Sequence, residues 1–222
     1  MPKNRNSIIK VIGVGGGGGN AVNNMYRKGI IGVDFIVCNT DVQALEMSPV
    51  PNKIRLGTNQ TEGLGAGANP ELGRLSAMES LEQLRDVLKS NTKMVFVTAG
   101  MGGGTGTGAA PVVASVAKEM GAIVIGTVTM PFNIERARID KAEFGLQQLR
   151  QVSDTVVVID NNRLVAIAGN LPVQQAFAVA NELVATMIKG IVETIAVPSL
   201  VNLDYADVKA IMTNGGVAAI GV

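Results

Sequence analysis

Histidine and tryptophan do not occur among the 222 residues. Without imidazole there can be no His-ligated metal and no Ser-His-Asp triad. The single cysteine, Cys38, leaves no internal disulfide to form, which fits a reducing, cytosolic compartment. It sits in the apolar run Phe35-Ile36-Val37-Cys38, the setting of a buried structural thiol rather than a nucleophile. Charged residues make up only 17% of the chain, and 19 basic against 18 acidic residues leave a net charge of +1. That balance, with just a few basic residues gathered in the first ten, advertises neither a nucleic-acid nor a lipid surface. No unbroken apolar stretch reaches the roughly 18 residues of a membrane span. The N-terminus Met1-Pro2-Lys3-Asn4-Arg5-Asn6 lacks the apolar segment of a signal peptide, so neither export nor direct membrane insertion is expected.

What the chain has instead is 47% apolar residues, enough for one sizeable core, interrupted by 27 glycines. Short β-branched, uniformly apolar runs at 8–14, 33–39, 94–98, 122–129 and 155–160 alternate with helical stretches. That order predicts an α/β fold, a mostly parallel sheet with helices on both faces. Helices are predicted over 21–28, 70–89, 108–120, 135–152 and 173–196; Asn69 caps the second, with Pro70 at its first position. In the last, Val173, Phe177, Ala180, Val184, Met187, Ile191 and Ile195 form one stripe that Leu183, Ile188 and Val192 widen. This predicts a long, largely buried central helix, on the order of 35 Å. The segment 57–69, rich in Gly, Thr and Asn, reads as loop. After a helical stretch at 205–212, a strand-like run begins at Val217 and the sequence stops. Such an uncovered apolar edge predicts a fragment cut as a second domain begins.

Two glycine clusters carry the chemistry. Gly13-Val14-Gly15-Gly16-Gly17-Gly18-Gly19-Asn20 follows a strand and opens a helix, where bare amides and the positive end of a helix dipole can meet a phosphate. Gly13, Gly15 and Gly18 also satisfy the dinucleotide fingerprint, and Asp41 follows at about the distance of a ribose-binding acid, so this cluster alone leaves a nicotinamide-dependent oxidoreductase open. The second cluster, Gly100-Met101-Gly102-Gly103-Gly104-Thr105-Gly106-Thr107-Gly108, also lies between strand and helix and favours a triphosphate gripped from two sides. Neither loop has the lysine of a Walker P-loop. Charge neutralisation then falls to N–H dipoles and a Mg²⁺ bridging the phosphates.

The stretch GGGTGTG, from Gly102 to Gly108, resembles the signature of the tubulin and FtsZ superfamily. GGGGGN from Gly15 to Asn20, Asn39-Thr40-Asp41, the segment from Gly63 to Pro70, and the segment from Asn202 to Val208 look like its FtsZ branch. The resemblance covers essentially the whole chain. It implies a tubulin/FtsZ-like GTPase domain over residues 1–200, including the central helix, with 201–222 holding the catalytic loop, a helix and the first strand of a truncated second domain. It implies GTP or GDP held by Gly16, Gly17, Gly18, Gly19 and Asn20 on one loop and by Gly103, Gly104, Thr105, Gly106 and Thr107 on the other. Glu135 and Arg138 match the family's sugar-contacting pair; the stretch here is one residue shorter than in common bacterial members, which leaves Arg136 as a rival to Arg138. Base recognition falls to Asn161, Phe177 and Asn181 by the same carry-over.

Hydrolysis raises a difficulty, since a carboxylate fixed beside three phosphates would repel them. The resemblance implies that Asp204 and Asp207, assisted by Asn202, act on the nucleotide of the adjacent subunit in a head-to-tail filament, a contact that propagates because it does not close. It further implies a cytoplasmic, self-assembling protein of the cell-division ring. Its regulators and membrane tethers would bind C-terminal regions beyond this sequence, and turnover by these residues alone would be slow. On spacing alone, Asp204 or Asp207 could equally cap the following helix. A non-catalytic nucleotide-binding member of the same superfamily is a further alternative.

Overall fold

Strand runs with no polar alternation can be buried only in a sheet covered on both faces, and the chain builds one. The computed structural model describes residues 7–89, 91–168, 172–196, 205–213 and 216–218. In chain order the elements are β1 (Ile9–Val14), α1 (Gly15–Arg27), β2 (Asp34–Asn39), α2 (Val42–Glu46), β3 (Asn52–Arg55), α3 (Thr58–Thr61), α4 (Pro70–Glu79), α5 (Leu81–Leu88) and β4 (Met94–Gly100). Then follow α6 (Thr105–Glu119), β5 (Ile123–Met130), α7 (Arg136–Val152), β6 (Thr155–Asp160), α8 (Asn161–Ala168), α9 (Val173–Ala196), α10 (Tyr205–Met212) and β7 (Gly216–Ala218). The sheet order is β3-β2-β1-β4-β5-β6-β7, and every pairing is parallel.

The chain builds outward from β1 to β3, then crosses back to lay β4 on the other side of β1. The strand order therefore reverses between β1 and β4, where an open α/β sheet leaves a crevice at the carboxyl ends of its strands. Alternate residues of each strand feed two cores. Ile12, Val14, Val95 and Val97 pack with α5, α6 and α7 through Leu84, Leu88, Ala110, Val113, Leu146 and Leu149. Ile9, Val11, Phe96 and Ile125 pack on the opposite face with α1, α9 and α10 through Met25, Val184, Ile188 and Val208. Cys38 lies in the first of these cores, and burial pushes its thiol up to about 12, the inert state expected of a structural cysteine.

One charge is threaded into the sheet. Lys10 is 3% exposed, and its Nζ lies 3.1 Å from Oδ2 of Asp34, its neighbour in register on β2. Asp34→Ala strands that ammonium in the interior and is expected to cost about 2 kcal/mol, discounted from a fully buried pair because the Asp34 side chain is 29% exposed. Lys10→Met, which removes the charge and keeps the stem, is expected to cost under about 1 kcal/mol. Urea unfolding of the two variants checks that order.

Several elements differ from the pattern in the sequence. The helix expected over 70–89 breaks at Ser80, whose hydroxyl accepts from Gly57 N at 3.1 Å and donates to Arg55 O at 3.4 Å, drawing the backbone out of helical geometry. The first helix starts at Gly15 rather than Ala21, and α6 at Thr105 rather than Gly108, so the glycine clusters themselves form helical turns. β3 and α2 have no counterpart in the apolar pattern; β3 is a four-residue edge strand, NKIR, with three polar residues. The run read as opening a second domain supplies β7, parallel to β6 at the sheet edge.

The central helix is also less buried than its composition predicts. Ala176, Ala180, Val184, Ala185, Ile188 and Val192 of α9 are buried, but Met187, Ile191 and Ile195 are half-buried and Phe177 is 43% exposed. The sheet covers one side of the helix only. By length and composition, Gln175–Ile195 is long and apolar enough to cross a membrane; here its buried third packs as a core helix does.

Candidate functional site

Because β1 and β4 are neighbours, with Val14 beside Ala99, the loops that leave them emerge side by side. Gly15 adopts φ +71°, a conformation that favours glycine, and a Cβ on it would stand 2.8 Å from Gly106 N. A Cβ on Gly17 would meet Gly100 Cα at 3.0 Å, and one on Gly106 would meet Gly100 O at 2.6 Å. The two glycine turns thus touch through bare backbone. Neither α1 nor α6 has a side-chain cap or a carboxylate in its first turn. Two sets of amide donors left over by helix geometry are therefore aimed at one place, with both helix dipoles adding positive potential.

That place is a cleft of about 700 Å³ at the switch point. Of the residues predicted to bind phosphate, Gly16, Gly17, Asn20, Gly103, Gly104, Thr105 and Gly106 line it. Three others do not. Gly18 is turned to the sheet, where a Cβ would fall on Thr98 O. Gly19 faces a small adjoining cavity with Asn23 and Ser48. Thr107 is buried, and its Oγ1 accepts from Gly102 N at 2.9 Å, so it shapes the loop from behind.

Other residues complete the phosphate end. Thr40, at the carboxyl end of β2, places its Oγ1 2.6 Å from Oγ1 of Thr105 and joins the two sides of the cleft. Asp41, read as an acid at ribose distance, lines the cleft but spends one oxygen on capping α2 through Ala44 N at 3.1 Å. A third loop, Leu64–Ala68, closes the rim. In the sequence this segment carries the family resemblance but no single residue with a chemistry of its own, because what it brings to the cleft is backbone.

The opposite end of the cleft gathers Glu135, Arg138, Asn161, Phe177 and Asn181. Glu135 accepts from Phe132 N at 3.1 Å and pairs with Arg138 Nη1 at 2.8 Å, so the two lie on one turn of the chain entering α7. Arg138 lines the cleft and Arg136 does not. Phe177 and Asn181 from α9 meet Asn161 at the start of α8, and Phe132 braces Phe177 edge-on with ring centres 5.3 Å apart. Asn161 is 2% exposed, and its Oδ1 is buried without a hydrogen-bond partner. Such an acceptor costs about 1–3 kcal/mol unless something donates to it. A ligand with N–H groups on its edge would do so.

Of the predicted catalytic loop, Asn202 and Asp204 lie outside the described residues. Asp207 is exposed in the first turn of α10 and does not line the cleft. Val208 and Ile211 of α10 meet α9 at Ile191 and Thr194, whereas α9 reaches the cleft at Asn181. From Asn181 to Thr194 is roughly 20 Å at the helical rise, so Asp207 stands far from the cleft of its own chain.

Comparison with known proteins agrees with the geometry. Residues 8–169 match the profile described as "Tubulin/FtsZ family, GTPase domain". "Cell division protein FtsZ 2" of Methanocaldococcus jannaschii is 56% identical over 214 residues, covering 96% of this chain and 56% of that protein. "Cell division protein FtsZ 2" of Haloferax volcanii is 51% identical over 212 residues, 96% of this chain and 53% of that protein. A solved structure described as an empty FtsZ dimer from M. jannaschii superposes with a TM-score of 0.91 at 44% identity, over 97% of this chain and 63% of that one. The chain thus spans about half the length of the curated relatives it matches. With a parallel sheet whose switch point brings two glycine turns together, and with relatives at this identity over nearly all its length, the chain belongs to the Tubulin/FtsZ family and carries its GTPase domain.

Proposed function

We propose that the cleft binds GTP and GDP, and that the protein hydrolyses GTP as a self-assembling component of the cytoplasmic cell-division ring. The observation that carries this reading is the convergence of two uncapped helix N-termini on a cleft whose other end holds an unpartnered buried amide oxygen. Phosphates suit the first feature and a purine edge with N–H donors suits the second. Guanine presents donors where adenine's ring edge presents an acceptor, so Asn161 Oδ1 favours guanine. Phe177 would stack on the base and Asn181 read its edge; Glu135 and Arg138 would face the sugar.

Among the described residues no group of three His, Cys, Asp or Glu side chains converges. A Mg²⁺ would therefore be held mainly by phosphate oxygens and water, with Asp41, Thr40 and Thr105 as the nearby polar side chains. Bound there it would neutralise phosphate charge. The chain's own amides orient the phosphates.

Asp207 belongs to the opposite end of α9 from the cleft, which supports a role in a neighbour's site. In a head-to-tail contact, Asp204 and Asp207 would orient the water that attacks the γ-phosphorus, with Asn202 assisting, and GDP and phosphate would leave. The dimer seen for the M. jannaschii relative supports self-association. We assign α10 and β7 to the nucleotide-binding body together with residues 1–200, since α10 packs in its core through Val208 and β7 extends its sheet beside β6. Titration of the purified chain with GTP, ATP and NAD tests the binding: GTP is expected to bind at least about tenfold more tightly than ATP, a factor one unpaired polar group supplies. Preferential binding of NAD would overturn the reading.

A further inference from the structure

The rim loop Leu64–Ala68 is held in an unusual backbone conformation. Gly65, Gly67 and Ala68 have φ of +87°, +54° and +59°, and at Ala68 the side chain makes that region unfavourable. A non-glycine residue stays there only when its surroundings fix it. One end of the loop is tied by Gly65 N to Thr40 O at 3.2 Å and by a bridge between Leu64 and Asp41; the other end by Asn69 N to Ala66 O at 2.9 Å and by the Asn69 cap of α4. The loop also lies against the second glycine turn, for a Cβ on Gly104 would stand 2.8 Å from Ala66 Cβ. Among the described residues, one side chain from another element hydrogen-bonds to residues 65–68: Lys141, whose Nζ donates to Ala68 O at 2.8 Å. Lys141 lies three residues beyond Arg138 on α7, on the same side of that helix, so the helix that lines the cleft with Arg138 also grips the loop.

We propose that Lys141 is a positioning residue for nucleotide binding: it holds the strained Ala68 carbonyl outward and so keeps the Gly65–Ala68 backbone closed over the phosphate end of the cleft. Its role in binding rests on the reading under Proposed function; the latch itself does not need a ligand. Through α7, engagement of Arg138 and closure of the loop become one event. The lysine is exposed, and among the described residues it makes no ion pair that would compete for its ammonium.

The test compares the parent chain with Lys141→Met and Lys141→Arg. In the nucleotide-free protein, hydrogen exchange at the amides of Gly65 and Asn69 is expected to quicken about tenfold in Lys141→Met and to return to within about twofold of the parent in Lys141→Arg. Affinity for GTP is expected to fall about three- to tenfold in Lys141→Met and to recover in Lys141→Arg, with the melting temperature unchanged. Unchanged exchange in Lys141→Met overturns the proposal, and so does a loss of affinity without faster exchange, which would make Lys141 a direct charge contact. Should the parent chain bind no guanine nucleotide, the functional reading fails while the exchange comparison still decides the latch.

Discussion

Gly16→Val and Gly103→Val are expected to fold as the parent chain does and to bind GTP about a hundredfold more weakly, a loss of about 3 kcal/mol. Both glycines line the cleft, and beyond its own turn of chain a Cβ on either would meet no protein atom within 4 Å. The protein therefore has no use for the missing side chains. A valine there projects two methyl groups into the space where backbone amides would face phosphate, and holds the anion off them. Equal melting temperatures with a lost titration signal is the expected outcome. Retained affinity in both variants would mean that the phosphates lie elsewhere.

The neighbouring glycines should behave in the opposite way. A Cβ on Gly18 would fall on Thr98 O, and one on Gly108 would fall on Pro70 O with Arg74 N at 2.7 Å. These atoms are backbone of the sheet and of α4, so neither can step aside without moving a whole element. Gly18→Ala and Gly108→Ala are each expected to destabilise the chain by about 3 kcal/mol or more, on the order of 10 °C in melting temperature. Thermal unfolding monitored by far-UV circular dichroism measures this. A drop of under about 1 kcal/mol for both would show that α1 and α6 do not pack as closely as described. The same glycine-rich motifs thus mix two demands, room for a ligand and room for another helix or strand.

The sequence could not separate these demands, because each depends on what stands opposite the glycine. Gly18 and Thr107 read as ligand contacts on motif alone, yet one faces Thr98 O and the other supports Gly102 N. Strand order was hidden for the same reason. The uniformly apolar runs identified five buried strands and their parallel sense, but that β4 returns to lie beside β1 follows from long-range packing that periodicity does not encode. β3, with Asn52, Lys53 and Arg55 around one buried isoleucine, had no pattern to read. The central helix was legible in position and length and misread in burial, since its hydrophobic circumference does not say which side the sheet covers. Glu135, Arg138, Asn161, Phe177 and Asn181 were placed through family resemblance, and the structure brings all five to one cleft. Lys141 and Thr40 act through a carbonyl and a hydroxyl that only the folded chain brings near.

A crystal structure of the chain grown with a slowly hydrolysed GTP analogue tests the convergence of the two glycine turns most directly. The expected density is a triphosphate between Gly16–Gly17 and Gly103–Gly106, with the guanine edge donating to Asn161 Oδ1 and the ring against Phe177. Density for the phosphates on one turn alone, or a base turned away from Asn161, would contradict it.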